Sequence, residues 1–281
     1  MTYYGGDEAL IGGYQEAKVV VFPVPYDGTS TWIKGADKGP ESILEASANM
    51  ELYDIETDSQ VYTEGIFTTD PASAFSSPES MAMEVEERIS DFITDGKFPV
   101  LLGGEHSVSI GAIRAFAKHI DDISILQLDA HTDLRQEYEG SKYNHACVMA
   151  RAQEVAPIVQ VGIRSMCQEE KPYVDDKRIF YNHQIRKEKD WMQQASERLT
   201  KKVYITIDLD VFDPSIMPST GTPEPDGLFF REVIEFIKIV NQAHDIVGFD
   251  VVELCPNPIN KAPDFLASKL IYQILSLKFC S

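Results

Sequence analysis

The sequence has 281 residues, 43% hydrophobic and 25% charged, a globular composition that excludes disordered and fibrous chains. A net charge of −20 excludes sequence-independent nucleic-acid binding, which needs a basic surface, and suits a cationic substrate or divalent cations. There is no apolar run of ~18 residues, and the opening MTYYGGDEALIGGYQ lacks a basic region followed by an apolar stretch, so no membrane contact and no secretory signal are expected.

In chain order, short β-branched runs predict strands over residues 19–24, 98–102, 123–128, 158–161, 203–207 and 246–252. Several are apolar on both faces, as strands of a parallel sheet covered by helices are. Amphipathic stretches predict helices over 79–93, 108–119, 146–155, 184–199, 231–244 and 263–277. In the fifth helix Val233, Ile234, Phe236, Ile237 and Ile239 fall largely on one face. Strand–helix alternation over the whole length predicts one three-layer α/β/α domain, residues 1–281, with a central, mostly parallel sheet. The four cysteines (Cys147, Cys167, Cys255, Cys280) form no CxxC pair and read as reduced residues of a cytoplasmic protein.

Ligands of such sheets bind beyond the carboxyl ends of the strands. Polar clusters follow four of the predicted strands there: Gly103 to Ser107, Asp129 to Asp133, Asp208 to Asp213, and Glu253 to Pro256. In ISILQLDAHTD an apolar strand runs straight into Asp129, His131 and Asp133, which an extended segment would point to one side. Asp208 and Asp210 repeat the spacing after another apolar strand. His106 follows a third strand and a Gly-Gly pair that permits a tight turn. Converging carboxylates and imidazoles repel and desolvate one another unless a cation sits among them. A lone DxD or a lone histidine is commonly a cap or turn residue. Four carboxylates and two imidazoles at strand ends are not, and they suffice for two metals sharing bridging carboxylates. Mixed ligation of this kind suits Mn, Zn, Fe, Co or Ni rather than Ca or Mg, and the dominance of carboxylates favours two Mn2+.

These segments resemble the ureohydrolases, the family of arginase and agmatinase. The resemblance is carried by VPYDGTSTWIKGADKGPESI (24–43), LLGGEHSVS (101–109), LDAHTDLR (128–135), NHA (144–146), ITIDLDVFDPSIMPSTGTPEPDGL (205–228) and FDVVELCP (249–256). It implies an arginase-like fold and a homotrimer or homohexamer. It implies one metal held by His106, Asp129, Asp133 and Asp208, and another held by Asp129, His131, Asp208 and Asp210. It makes His145 the proton relay beside the substrate and Glu253 the carboxylate that grips the guanidinium. Chemistry agrees: two metals make a bridging water a hydroxide at neutral pH, Glu253 orients the planar cation over it, and Asp133 and His145 handle the protons.

The sequence also departs from the family pattern. No acidic residue closely follows the Glu253-Leu254-Cys255-Pro256 turn, Ser219-Thr220 replaces the usual Pro-Gly, and Ala146 replaces a glycine. The loop from Glu137 to His145 is acidic and aromatic. Glu137 or Glu139 is therefore expected to meet a distal ammonium, and Tyr138 or Tyr143 to pack on methylenes. This favours agmatine, cleaved to putrescine and urea in polyamine biosynthesis. Aminopropylagmatine, guanidinobutyrate, arginine, guanidine and an inactive metal-binding relative stay open as alternatives. A phosphoesterase is disfavoured, since the clusters lack basic residues.

Overall fold

The computed structural model describes residues 2–73 and 75–280. Eight strands form one sheet: β1 (Val19–Val24), β2 (Ile66–Thr68), β3 (Phe98–Gly103), β4 (Ile123–Leu128), β5 (Ile158–Ile163), β6 (Ile179–Tyr181), β7 (Lys202–Asp208) and β8 (Asp245–Val252). Their order is β2-β1-β3-β8-β7-β4-β5-β6, and every pairing in the sheet is parallel. The inner strands are apolar on both faces because both faces are covered.

Alternate side chains feed two cores. Val19 and Val21 point into one, with the helices α1 (Gly39–Ser47), α6 (Trp191–Ser196), α7 (Phe230–Ala243) and α8 (Ala262–Cys280). Val20, Phe22 and Val24 point into the other, with α2 (Pro78–Thr94), α3 (Ser109–His119) and α4 (Val148–Ala152). A last short helix, α5 (Asn182–Ile185), follows β6. The expected three-layer α/β/α architecture is borne out.

The local differences from expectation have physical reasons. The edge strands β2 and β6 have three residues each, too few for a periodicity to register. Helix α1 is not among the predicted helices; Gly39-Pro40 opens it, proline is favoured in a first turn, and Ile43 and Leu44 are buried. The helix expected over 184–199 is broken into α5 and α6 by the polar stretch Arg186 to Asp190. The helix expected from 146 begins as a 3-10 turn, His145–Cys147, capped by the Asn144 side chain. In α7, Val240 rather than Ile239 completes the buried face.

Candidate metal centre

The four strands whose ends carry the polar clusters are neighbours in the sheet: β3, β8, β7 and β4. Residues 106, 129–133, 208–210 and 253 therefore converge, although up to 147 positions separate them. His106 Nδ1 lies 3.0 Å from Asp133 Oδ2, 3.2 Å from Asp129 Oδ2 and 3.5 Å from Asp208 Oδ2. His131 Nδ1 lies 2.8 Å from Asp210 Oδ2 and 3.7 Å from Asp129 Oδ1. Two groups of potential ligand atoms result, His106 with Asp129 and Asp208, and His131 with Asp129 and Asp210. Asp129 belongs to both.

The route to this convergence corrects two expectations. The segment after β4 is not extended: Asp133 has φ 51°, and this left-handed turn swings its carboxylate back to His106. Along an extended strand Asp133 would stand about 13 Å beyond Asp129. Nor does the Gly103-Gly104 pair supply unusual dihedrals, since neither has a positive φ. It supplies space: a Cβ on Gly104 would lie 2.0 Å from Tyr26 O, and one on Gly103 2.5 Å from Val108 Cγ2. Glu253 is a second non-glycine residue in the left-handed region, at φ 68°. Such conformations cost about 1–3 kcal/mol and persist where surrounding bonds fix them. The Glu253 N–H donates to Gly104 O at 2.7 Å, and Glu253 Oε1 accepts from His106 N at 2.7 Å.

Electrostatics show what the cluster lacks. Burial, then Asp133 and Asp210, push Asp129 up to about 7. Burial, then the charges of Asp210 and Asp129, hold Asp208 well above the carboxylate range. Asp210 is lowered to about 2, because His131 and a backbone N–H outweigh its burial. Burial opposes charging His106, yet the carboxylates around it raise it well above its ordinary value. Asp129 and Asp208 are thus buried carboxylates that hold protons where a cation would relieve them.

The fit to cations rests on His106. Its Nε2 lies 2.9 Å from Thr206 Oγ1, whose hydroxyl donates to Asp250 Oδ1 at 2.7 Å. Asp250 Oδ2 accepts from Tyr204 OH at 2.7 Å. With the hydroxyl proton committed to Asp250, Thr206 accepts from Nε2–H, so Nδ1 is the nitrogen that gives up its proton and offers a lone pair where a cation replaces that proton. That Nδ1 is buried without a hydrogen-bond partner and faces three carboxylates. A neutral imidazole lone pair among carboxylates, backed by a second hydrogen bond, is the donor set of a divalent-metal site. Asp129 is likewise backed: Gln127 Nε2 donates to its Oδ2 at 2.7 Å, and Gln160 donates to Gln127 at 2.6 Å.

The cluster forms the floor of a cavity of about 400 Å³. Its walls include Trp32, Tyr138, His145, Met166, Gly221 and Glu253. Of the residues expected to recognise the substrate tail, Tyr138 reaches this cavity, while Glu137, Glu139 and Tyr143 are not among its walls. Tyr138 and Ser141 exchange backbone hydrogen bonds, both 3.0 Å. Glu139 and Gly140 between them have φ of 48° and 80°, a tight hairpin turn that holds Glu139 out in solvent. Glu137 is also exposed, and the Tyr143 hydroxyl accepts from Arg114 Nη1 at 2.6 Å.

Sequence reasoning misses several supports. Glu170 accepts from Thr132 Oγ1, Leu134 N and Cys167 N at 2.6 to 2.8 Å and so pins the metal loop from a distant turn. Arg164 donates to Asp210 O at 2.6 Å and Glu224 O at 2.9 Å. Trp32, 75% exposed, stands at the cavity. Glu170 and Arg164 have no local signal, since each acts through tertiary contact. An exposed tryptophan in a turn-rich segment is the one clue available.

Comparison with known proteins agrees with the geometry. The model of the Arginase family matches residues 17–276. The chain is 39% identical to N(1)-aminopropylagmatine ureohydrolase of Synechocystis sp., over 96% of this chain and 92% of that one. It is 32% identical to agmatinase of Pyrococcus horikoshii, over 94% and 93%. The crystal structure of agmatine ureohydrolase of Thermoplasma volcanium superposes with a TM-score of 0.89 at 33% identity, covering 99% of this chain and 94% of that one.

The chain therefore belongs to the arginase family. The expected class, a ureohydrolase acting on amidine C–N bonds, is borne out at that level.

Proposed function

We propose that this chain releases urea from a linear guanidino precursor of polyamines, N(1)-aminopropylagmatine first and agmatine second. The observation that carries the reading is Glu253, a buried carboxylate at the wall of a cavity floored by His106, His131, Asp133, Asp208 and Asp210, with Asp129 fully buried against both histidines. The order of substrates draws support from the 39% identity to the Synechocystis enzyme, against the expectation that placed agmatine first.

In this reading His106, Asp129, Asp133 and Asp208 hold one cation, and Asp129, His131, Asp208 and Asp210 hold the other. Two Mn2+ fit the carboxylate-rich set best. When bound, they supply Lewis acidity and a water acidic enough to react at neutral pH. The protein's own groups do the rest. Glu253 Oε1 is engaged by the His106 N–H, while a Cβ on Gly221 would stand 3.6 Å from Oε2. Gly221 thus leaves room for a planar cation to reach Oε2 by charge-assisted bonds. Asp133 accepts a proton in attack, and His145 delivers one to the leaving amine. Trp32 and Tyr138 give the aliphatic tail an aromatic lining, and their faces favour an ammonium.

Residues 1–281 act as one unit in this reading, in a cytoplasmic homotrimer or homohexamer that serves polyamine biosynthesis. No helix among the described residues is long and apolar enough to cross a membrane. The test is urea release by Mn2+-reconstituted protein from N(1)-aminopropylagmatine, agmatine, guanidinobutyrate, arginine and guanidine. The highest kcat/KM is expected for the first. No urea from any of them overturns the enzyme, and a preference for arginine overturns the substrate class.

A further inference from the structure

The left-handed turn at Asp133 is a conformation that side-chain-bearing residues avoid, so something must hold it. The φ and ψ of a residue fix the orientation of the peptide plane after it relative to the plane before it. At Asp133 both planes are tied down. Before it, Thr132 O accepts from Gln160 Nε2 at 2.8 Å. After it, Asp133 O accepts from Met149 N at 2.9 Å and from Ala150 N at 3.1 Å, in the first turn of α4. On the same later plane, Leu134 N donates to Glu170 Oε1 at 2.8 Å. Among the described residues, Glu170 is the one side chain that holds this plane. It also reaches across Asp133, because Oε1 accepts from Thr132 Oγ1 at 2.7 Å. Its Oε2 accepts from Cys167 N at 2.6 Å, which anchors the carboxylate to its own turn. Thr132, Leu134 and Glu170 are buried, so a donor released there finds no water in exchange.

We propose that Glu170, by fixing the turn at Asp133, governs the occupancy of the His106-side cation site and leaves the His131-side site untouched. The inference rests on the two ligand sets proposed above. Asp133 Oδ2 lies 3.0 Å from His106 Nδ1, whereas His131 Nδ1 pairs with Asp210 and Asp129. The ligands on the His131 side have supports of their own. Asp210 Oδ1 accepts from Ala130 N at 2.9 Å, and Gln127 Nε2 donates to Asp129 Oδ2 at 2.7 Å and to His131 O at 3.2 Å. Without Glu170 the plane after Asp133 is free to turn, φ returns to the negative range that such residues prefer, and the carboxylate leaves His106. Glu170 is thus a positioning residue. It stands at the cavity wall, but three donors already occupy its two oxygens, so it acts through Asp133 rather than on the substrate.

The test titrates Mn2+ into the metal-free full chain by calorimetry and follows the ions by electron paramagnetic resonance. Two adjacent Mn2+ give a spin-coupled spectrum, and a lone Mn2+ gives the uncoupled hyperfine pattern. Wild type is expected to bind two Mn2+ and to show the coupled spectrum. Glu170→Met keeps the length of the side chain and removes both acceptors. It is expected to keep one Mn2+ at near wild-type affinity, to weaken the other about 10- to 100-fold, and to show the uncoupled pattern where wild type is coupled. Glu170→Gln is expected to restore the coupled spectrum, since its amide oxygen still serves Thr132 Oγ1 and Leu134 N. If Glu170→Met does not fold, Glu170→Asp, too short to span both sides of Asp133, is expected to weaken the same Mn2+ about tenfold. Two Mn2+ at wild-type affinity in the folded variant overturn the proposal, and the same result with a raised KM assigns Glu170 to the substrate instead. Equal loss of both ions also overturns it. Fewer than two Mn2+ in wild type overturns the ligand sets and this inference with them. Selective loss of one ion, with no urea from any substrate in wild type, overturns the function and leaves this inference standing.

Discussion

The floor and the rim of the cavity are built on different principles. The floor stands on four adjacent strand ends, and two of its ligands are braced by buried groups: His106 by Thr206 and Asp250, Asp129 by Gln127 and Gln160. The rim is made of loop side chains such as Trp32, Tyr138 and Met166, half-buried or exposed. The floor can hold charges at fixed spacing because the sheet beneath it cannot yield. The rim can vary in shape without disturbing that spacing. Chemistry and substrate choice are thereby separated, as in other folds where loops on a rigid scaffold carry specificity.

The sharpest way to break this comparison is at the shared ligand. Asp129→Ala is expected to lose both cations and to lower kcat at least about 1,000-fold, read by metal analysis and urea release. Retention of two metals would show that the floor does not act as one unit. Next in size is the brace. Thr206→Val should free the His106 ring and weaken metal binding about 10- to 100-fold by titration, with the apo fold retained. An unchanged affinity would make the brace a packing feature only.

Proton linkage gives a third test. Asp129 holds its proton up to about 7, whereas in the unfolded chain it loses it near ~4. Between those values the metal-free native state binds a proton that the unfolded chain has released, so its stability falls as pH rises. His106 and His131 are also raised, and their contribution is present at low pH and lost as pH rises. Cations replace these protons and relieve the repulsion. The gap in Tm between metal-loaded and chelated protein should therefore widen from about pH 5 to about pH 8. A constant gap would count against the carboxylate cluster as the binding site.

The smallest effects belong to the rim. Trp32→Ala should raise KM for N(1)-aminopropylagmatine about tenfold and that for guanidine less, since the small substrate has no tail. Glu139→Gln should change neither by more than about twofold, because its charge stands in solvent. A large effect of Glu139→Gln would mean that the hairpin folds over the cavity when substrate binds.

Much of the floor is legible in the sequence. Asp129, His131, Asp133, Asp208 and Asp210 announce themselves because charged residues directly after buried strands need an explanation that a loop does not provide. His106 is legible through its neighbours, Gly103 and Gly104. The rim is not, because Glu137, Glu139 and Tyr143 lie close to His145 in sequence, and proximity along a chain says little once a hairpin turn reverses it. Glu170 and Arg164 are silent for the same reason from the other side. They act on loops 38 and 46 residues away.

The sequence by itself determined the alternating α/β architecture, through the two hydrophobic periods, and the chemical nature of the centre, through the residue types at strand ends. Only the tertiary structure decided that β3, β8, β7 and β4 are neighbours, that Asp133 turns back to His106, and which nitrogen of His106 faces the carboxylates. Strand order depends on crossovers that leave no local mark, and a tautomer depends on partners distant in the chain. The residues could be read one run at a time, but their protons could be assigned only together.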